Sequence, residues 1–465
     1  MTATAVERPR RGIPGFAQMQ RVGRSLMLPI ASLPAAALLL RLGQPDMLGA
    51  DGVAAHASWM QPVADVLAAA GNALFANLAL LFAVGVAVGY AKKSDGSTAL
   101  AAVIGYLVFK AVGDALSPQT WVLGPPAEGQ DQALVDYGVL GGIVVGIVTA
   151  LLYQRYYRIK LPPYLAFFGG RRFVPIVTAG ASLLIAVVGA FVYPYFDTVF
   201  NDKIGGWVTG STILGAFVFG TLNRLLVPLG LHHLLNSLPW FQFGSYTGQD
   251  GTVAHGDIFR FLAGDPTAGT FLTGFFPIMM FALPAAALAI IHTAKPENRK
   301  VIAGVMGSAA LVSIVTGVTE PLEFSFVFVA YPLYAIHAVL TGTSLALVNA
   351  LGIRDGFGFS AGIIDYLLNF RIAEMPLLLI PIGLGYAVVY YVLFRWVITR
   401  WNLRTPGRED DPSAVGLDPT ADQDADRSAG DGTRGAAAAG DDDASVTAGT
   451  RADGGPGSAG PEPTR

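Results

Sequence analysis

Two short stretches of the 465-residue chain hold ionisable groups where their neighbours are almost all apolar. The first, GTLNRLLVPLGLHHLLNSLPW, carries Arg224, His232, His233 and Asn236. The second, SIVTGVTEPLEFSFVFVAYPLY, carries Thr319, Glu320 and Glu323. A buried polar or charged group is costly unless something pairs with it. A neutral imidazole can donate one hydrogen bond and accept another, and a carboxylate accepts several. Together they suit a ligand rich in hydroxyl groups, such as a sugar. His232 and Asn236, at i and i+4, share a face if the segment is helical there, although Pro228 and Gly230 interrupt any straight helix before it. Pro321 biases Glu320 away from the helical region, which puts a carboxylate beside unwound backbone. Bland alternatives exist for each group. His232 could be satisfied by a neighbouring carbonyl, Arg224 could pair with one of the glutamates, and Glu323 could be a helix N-terminal charge.

The elements that must position these groups follow from composition. Hydrophobic residues make up 53% of the chain and charged residues 14%, with a mean hydropathy of +0.51. A soluble domain is about 25% charged. Apolar stretches of about 20 residues, enough to cross a hydrocarbon core, fall near 26–42, 72–91, 98–116, 135–153, 173–194, 208–231, 270–292, 301–319, 328–350 and 376–398. An all-α membrane protein of about ten transmembrane helices is therefore expected. Lys and Arg cluster before the first span, at Lys92–Lys93, from Arg155 to Arg172, and from Lys295 to Lys300, while 43–71 and 117–134 contain none. The positive-inside rule then places both termini in the cytoplasm. Residues 232–269 and 351–375 are too polar and Gly-rich for ordinary spans. Irregular backbone at membrane depth is tolerated where protein buries it or it lines a wet cavity, and broken segments are a common way to build a transporter site; surface loops or amphipathic helices are the alternative.

The expected organisation is a cytoplasmic amphipathic lead-in (1–25), an N-terminal scaffold half (26–205), a C-terminal binding half (206–406) and an acidic tail (407–465). The tail holds 13 acidic and 5 basic residues and almost no large apolar ones, a composition that favours disorder. The chain has no cysteine, which excludes disulfides, thiolate nucleophiles and Cys-ligated metals. No metal, cofactor or nucleic acid is expected. Gly85 and Gly89 suit close helix packing. Trp240, Phe241 and Phe243 could stack on a pyranose or serve as interfacial anchors.

Seven ordered blocks carry a resemblance to a known family: GRSLMLPIASLPAAALLLRLG, LLFAVGVAVGYAKKSDGSTALAAVIGYLVF, FFGGRRFVPIV, GLHHLLN, HGDIFRFLAGDPTAG, GFFPIMMF and TGVTEPLEFSFVF. From about Phe16 through Asp410 the chain resembles the membrane (EIIC) component of the bacterial phosphoenolpyruvate-dependent sugar phosphotransferase system, glucose superfamily. GFFPIMMF and GTVAHGDIFRF are more similar to the N-acetylglucosamine branch than to glucose or maltose members. The resemblance implies a homodimer with ten transmembrane helices and two re-entrant hairpins, acting as the permease subunit of a phosphotransferase complex. It implies sugar contacts from His232, Glu320 and Arg224, with Gly274 and Phe275 near the sugar and Glu320 closest to the phosphorylation point. In many relatives TPGRED leads into an EIIB domain with a phosphorylated cysteine; here it leads into the acidic tail, so a separate phospho-EIIB protein is expected to supply the phosphate. Rival readings are glucose as the substrate, a cation-coupled sugar transporter, and a sugar sensor that binds without transport.

Overall fold

The computed structural model of the protein describes residues 16–124, 134–198, 212–248, 251 and 253–408. All of these fall within one compact unit, and 409–465 lie outside the described residues. The expected disorder of the acidic tail therefore concerns residues that lie almost entirely outside them. The part that is described, through Arg408, is tied down. The Gly407 carbonyl accepts from the Lys295 amide at 3.0 Å, and Arg408 donates to the Thr293 carbonyl at 3.0 Å.

Among the described residues, 7 helices are long and apolar enough to cross a membrane, or up to 8 if a bent pair is one span. The seven match expected spans from 98–116 onward, apart from 208–231. The other three spans deviate for local reasons. The first is split into Phe16–Ile30 and Leu33–Leu42, with Pro29 and Pro34 flanking the break. Proline lacks the donor that a continuous helix needs. The second is half of a pair, Ser58–Ala76 and Leu78–Tyr90, bent by 53°. The span at 208–231 begins outside the described residues and continues as Thr212–Leu226. Four spans bury only 22% of their apolar window. Leu184, Val188, Leu311 and Val388 are at least 60% exposed, a surface that suits lipid rather than water.

Small residues set the helix contacts. Leu78–Tyr90 packs on Gly138–Tyr156 and on Phe16–Ile30, and a Cβ at Gly142 would come to 2.0 Å from the Ala79 carbonyl. Gly85 and Gly89 face Pro29 and Ser25 at similarly short range, as the small-residue spacing implied. In the second half Thr212–Leu226 lies along Tyr331–Ala350. There a Cβ on Gly342 would stand 2.2 Å from Thr221 Oγ1 and 2.5 Å from the Phe217 carbonyl.

The two polar Gly-rich stretches are not spans. In the first, Ser245–Thr247 and Val253–His255 form a two-stranded antiparallel ribbon, with Tyr246 opposite Ala254. The all-α expectation holds in its main part: among the described residues the named elements are helical apart from this ribbon. The strands hold β-prone Tyr, Thr and Val, and left-handed Gly244 and Gly256 bound the pair. The helix Gly256–Leu262 follows. Residues 351–375 leave and return at one point, where Arg354 and Glu374 exchange backbone hydrogen bonds of 3.1 and 2.6 Å. Between them lies the short helix Ile363–Asn369.

Candidate functional site

His232 reaches the site because the chain stops being helical just before it. Thr212–Leu226 ends in a 3-10 turn at Val227–Leu229, and Gly230 adopts a left-handed conformation (φ +68°) before helix His232–Phe241 begins. Left-handed backbone is costly for residues with a Cβ. Here a Cβ would also meet the Gly23 backbone at 2.9 Å. Proline and glycine thus place His232 on the first turn of a new helix, with Asn236 one turn on.

Glu320 is placed by a second break. Helix Arg299–Thr316 ends on left-handed Gly317 (φ +72°), and the next helix, Glu320–Val327, starts with Thr319 as its N-cap. Glu320 is the first residue of that helix rather than part of an unwound stretch. Pro321 falls in the opening turn of this helix, where its missing N–H has no intrahelical partner to lose, so Glu320 is helical despite the expected bias. The Ser360 hydroxyl, on the pinched 351–375 excursion, donates to the Gly317 carbonyl at 2.9 Å and fastens the break.

The two breaks face one another across a cavity of about 340 Å3 lined by Arg224, His232, Asn236, Trp240, Glu320 and Phe359, among others. That volume lies in the range of small-molecule sites, about 300–1,000 Å3. His232 Nε2 stands 3.7 Å from Glu320 Oε1, too far for a direct hydrogen bond. The His232 side chain is 9% exposed and that of Glu320 24%. His232 Nδ1 is buried without a hydrogen-bond partner. A second cavity of about 300 Å3, lined by Gly230, Phe324 and Phe328, shares His232, His233 and Glu320 with the first. The His232–Glu320 pair therefore stands between two spaces. His232, His233 and Glu320 also offer ligand atoms within 4.8 Å of one another, so a bound cation is geometrically open to test.

Behind the cavity lies an ion cluster. Arg224 Nη1 is 2.6 Å from Glu323 Oε1 and donates to Thr319 Oγ1 at 3.1 Å. Glu323 also faces His337 Nε2 at 3.3 Å and accepts from the Tyr334 hydroxyl at 3.2 Å. His337 Nδ1 is in turn 2.9 Å from the Tyr390 hydroxyl. Four helices meet in this network. Of the two glutamates, Glu323 is paired with arginine and Glu320 is left to the cavity. Arg224 thus lines the cavity and is also a structural anchor, the second role having been among the alternatives open from sequence.

Asn236 lines the cavity, and its side-chain oxygen accepts from Asn223 at 2.5 Å. Trp240 and Phe241 line it too, whereas Phe243 is buried elsewhere. Gly274 and Phe275, expected near the sugar, are not among the residues lining this cavity. The Phe275 ring is fully buried beneath the Arg224 guanidinium, 5.0 Å away, and the Gly274 carbonyl is taken by the Ser344 hydroxyl. Phe275 thus backs Arg224. Sequence reasoning missed His337, Tyr334, Tyr390 and Asn223. His337 could have been found by the criterion that singled out His232, an ionisable group inside an apolar span.

Known proteins agree with this architecture. Residues 23–342 match the family described as "Phosphotransferase system, EIIC". A Streptomyces coelicolor protein named as the N-acetylglucosamine-specific EIIC component is 52% identical over 419 residues, covering 90% of this chain and 98% of that one. A Bacillus subtilis N-acetylglucosamine-specific EIICB component is 46% identical, covering 87% of this chain and 82% of its own length. The Escherichia coli N-acetylglucosamine-specific EIICBA component is also 46% identical over 84% of this chain, but only 56% of its own length is matched. Among solved structures, the crystal structure of ChbC, the IIC component of an N,N'-diacetylchitobiose-specific phosphotransferase system, superposes with a TM-score of 0.53 at 12% identity, covering 83% of this chain and 93% of that one. The chain belongs to the EIIC family of the phosphotransferase system, a family of multi-pass membrane proteins.

Proposed function

We propose that this protein is a sugar permease that binds N-acetylglucosamine, carries it through the membrane and presents its 6-hydroxyl to a separate phospho-EIIB protein. The observation that carries the reading is the His232–Glu320 pair, set between two cavities by facing helix breaks. The sugar ring occupies the larger cavity beside Trp240 and Asn236. His232 and Glu320 hold hydroxyl groups at the junction, and the hydroxyl to be phosphorylated points into the second cavity, toward the donor. His232 and Glu320 are the groups that touch the reacting end of the sugar; the chain contains no cysteine, so it cannot hold the phosphoryl group as a phosphocysteine. A negative sugar phosphate next to Glu320 is repelled by it, which favours release.

The finer architecture follows the same reading. Residues 26–205 form the scaffold through which two copies pair as a homodimer, and 206–406 form the mobile binding half, with the 232–269 and 351–375 segments as its re-entrant parts. Ten crossings put both termini in the cytoplasm. The close agreement with whole-length relatives named for N-acetylglucosamine favours that sugar over glucose.

Uptake of radiolabelled sugar into vesicles tests the reading. N-acetylglucosamine 6-phosphate should accumulate only when phospho-EIIB is supplied. Accumulation of free sugar driven by a proton gradient would instead establish a cation-coupled transporter, and binding without uptake a sensor. A preference for glucose in a binding assay on purified protein would overturn the choice of sugar.

A further inference from the structure

The connection between helices Gly138–Tyr156 and Phe173–Asp197 takes no part in the site, yet it is unusual in what it exposes. Every residue from Pro162 to Phe168 is exposed. Tyr164 is 83% exposed, Phe167 69%, Phe168 43% and Leu165 39%. Around them stand Arg155, Arg158, Lys160, Arg171 and Arg172, all exposed. Lys92 and Lys93 join the same patch, because Tyr153 bonds the Lys93 carbonyl and Arg171 pairs with Asp95, two residues further on. The loop is a fixed shape rather than a loose one. The Gly170 amide bonds the Ile159 carbonyl at 2.8 Å, and Arg172 lies over the Phe167 ring at 4.7 Å.

The charge is one-sided. From 137 to 196 the sequence contains no acidic residue. Asp136 and Asp197 lie at the far ends of the flanking helices, about 28 Å away for a 19-residue helix at 1.5 Å per residue. Asp95 is already neutralised by Arg171 at 2.6 Å.

We infer that this loop is a binding surface for anionic phospholipid headgroups, with Tyr164, Phe167 and Phe168 set at the level of the headgroups and the basic groups reaching the phosphates. Two observations favour a lipid surface over a protein partner. The loop joins two membrane spans, so it lies at the bilayer boundary by covalent connection. Beyond the exposed Arg171 and Arg172, apolar exposure resumes on the following helix at Ile176, Leu183, Leu184 and Val188, a surface suited to lipid tails. Aromatic rings and basic groups at this depth are the pairing that membrane interfaces select. The inference is independent of which sugar is carried.

The absence of cysteine allows a direct test on the full chain. Tyr164→Cys carrying a spin label, in nanodiscs of phosphatidylcholine alone or with phosphatidylglycerol, reports its surroundings by collision with oxygen or with a water-soluble nickel complex. The label should be shielded from nickel, more so with phosphatidylglycerol. Native mass spectrometry of Arg158→Gln/Lys160→Gln/Arg172→Gln should show roughly 100-fold weaker preference for phosphatidylglycerol, from about fivefold per charge near the surface. If the triple variant fails to fold, as judged by lost sugar binding, Lys160→Gln alone should give about fivefold. A label equally open to nickel in both lipids, or unchanged phosphatidylglycerol preference in a folded variant, overturns the inference. So does shielding that appears only on adding phospho-EIIB, which would make the loop a protein dock.

Discussion

Glu320→Gln and Glu323→Gln should have opposite consequences, although the two residues are three apart. Glu323 is fully buried, and Arg224 has a side-chain exposure of 5%. Losing the charge at Glu323 leaves the guanidinium without a counter-ion. Its side-chain partners would then be Thr319 Oγ1 at 3.1 Å and a neutral amide. Arg224 Nε already lacks a partner. Breaking a buried pair by removing one charge costs about 3–5 kcal/mol, and the remaining hydrogen bond to an amide places the expected loss toward about 3. The thermal midpoint of detergent-solubilised Glu323→Gln should fall by several degrees, with sugar affinity reduced as a secondary effect. Glu320 has no arginine partner, and its contact to His232 is 3.7 Å. Glu320→Gln should leave the midpoint within about a degree. Its sugar binding should weaken by roughly 10–150-fold, the equivalent of one hydrogen bond to a charged group, about 1.5–3 kcal/mol. Thermal unfolding and calorimetric sugar titration on the same preparations read both. If Glu323→Gln unfolds like the parent while Glu320→Gln is destabilised, the division of roles between the two carboxylates is refuted.

Three further outcomes follow from the structure. Asp95, at the head of helix Gly96–Leu116, accepts from both the Ser97 hydroxyl and amide. The Ser97 hydroxyl, with Arg171 adding a smaller share, holds its carboxyl below the usual range. Its stabilisation is present above the ordinary carboxylate pKa of 3.8 and is lost as the pH falls through its lower folded value. Asp95→Ala should therefore cost about 1 kcal/mol at pH 7, with the gap from the parent closing below pH 3.8 in a melting series. Gly342→Ala should cost about 1–3 kcal/mol by overpacking, because the Phe217 carbonyl at 2.5 Å must move; an unchanged melting point would show the helix contact to be looser. Sugar titration with EDTA should match titration without it, and a loss of binding would show that His232, His233 and Glu320 hold a required cation.

The spans that read clearly from sequence are those where a run of apolar residues reaches bilayer length without a break. Those that did not are broken by particular residues. Pro29 and Pro34 fall inside an apolar run whose composition alone gives one span. Within the site, His232 and Asn236 were legible because both lie within one helical turn. The partner of Arg224 was not. Glu320 and Glu323 are both close to a hundred residues away, and no local spacing tells which of them folds back against it. His337 was overlooked because Tyr331–Ala350 reads as an ordinary apolar span in which its nearest polar neighbours, Tyr334 and Thr341, carry no charge. Its partners, Glu323 and Tyr390, come from other helices. Gly274 and Phe275 show the converse: a motif can mark the site and still supply its support rather than its wall.

The space on the far side of the His232–Glu320 pair has a use in synthetic chemistry. In the proposed orientation the sugar's 6-position alone opens into it, and about 300 Å3 is available there, whereas the ring is enclosed by Trp240, Asn236 and Phe359. Analogues enlarged at carbon 6 should therefore still occupy the ring site while being unable to accept phosphate. Such compounds would lodge in the permease as plugs rather than cargo, and the length of substituent they tolerate would measure the depth of the second cavity.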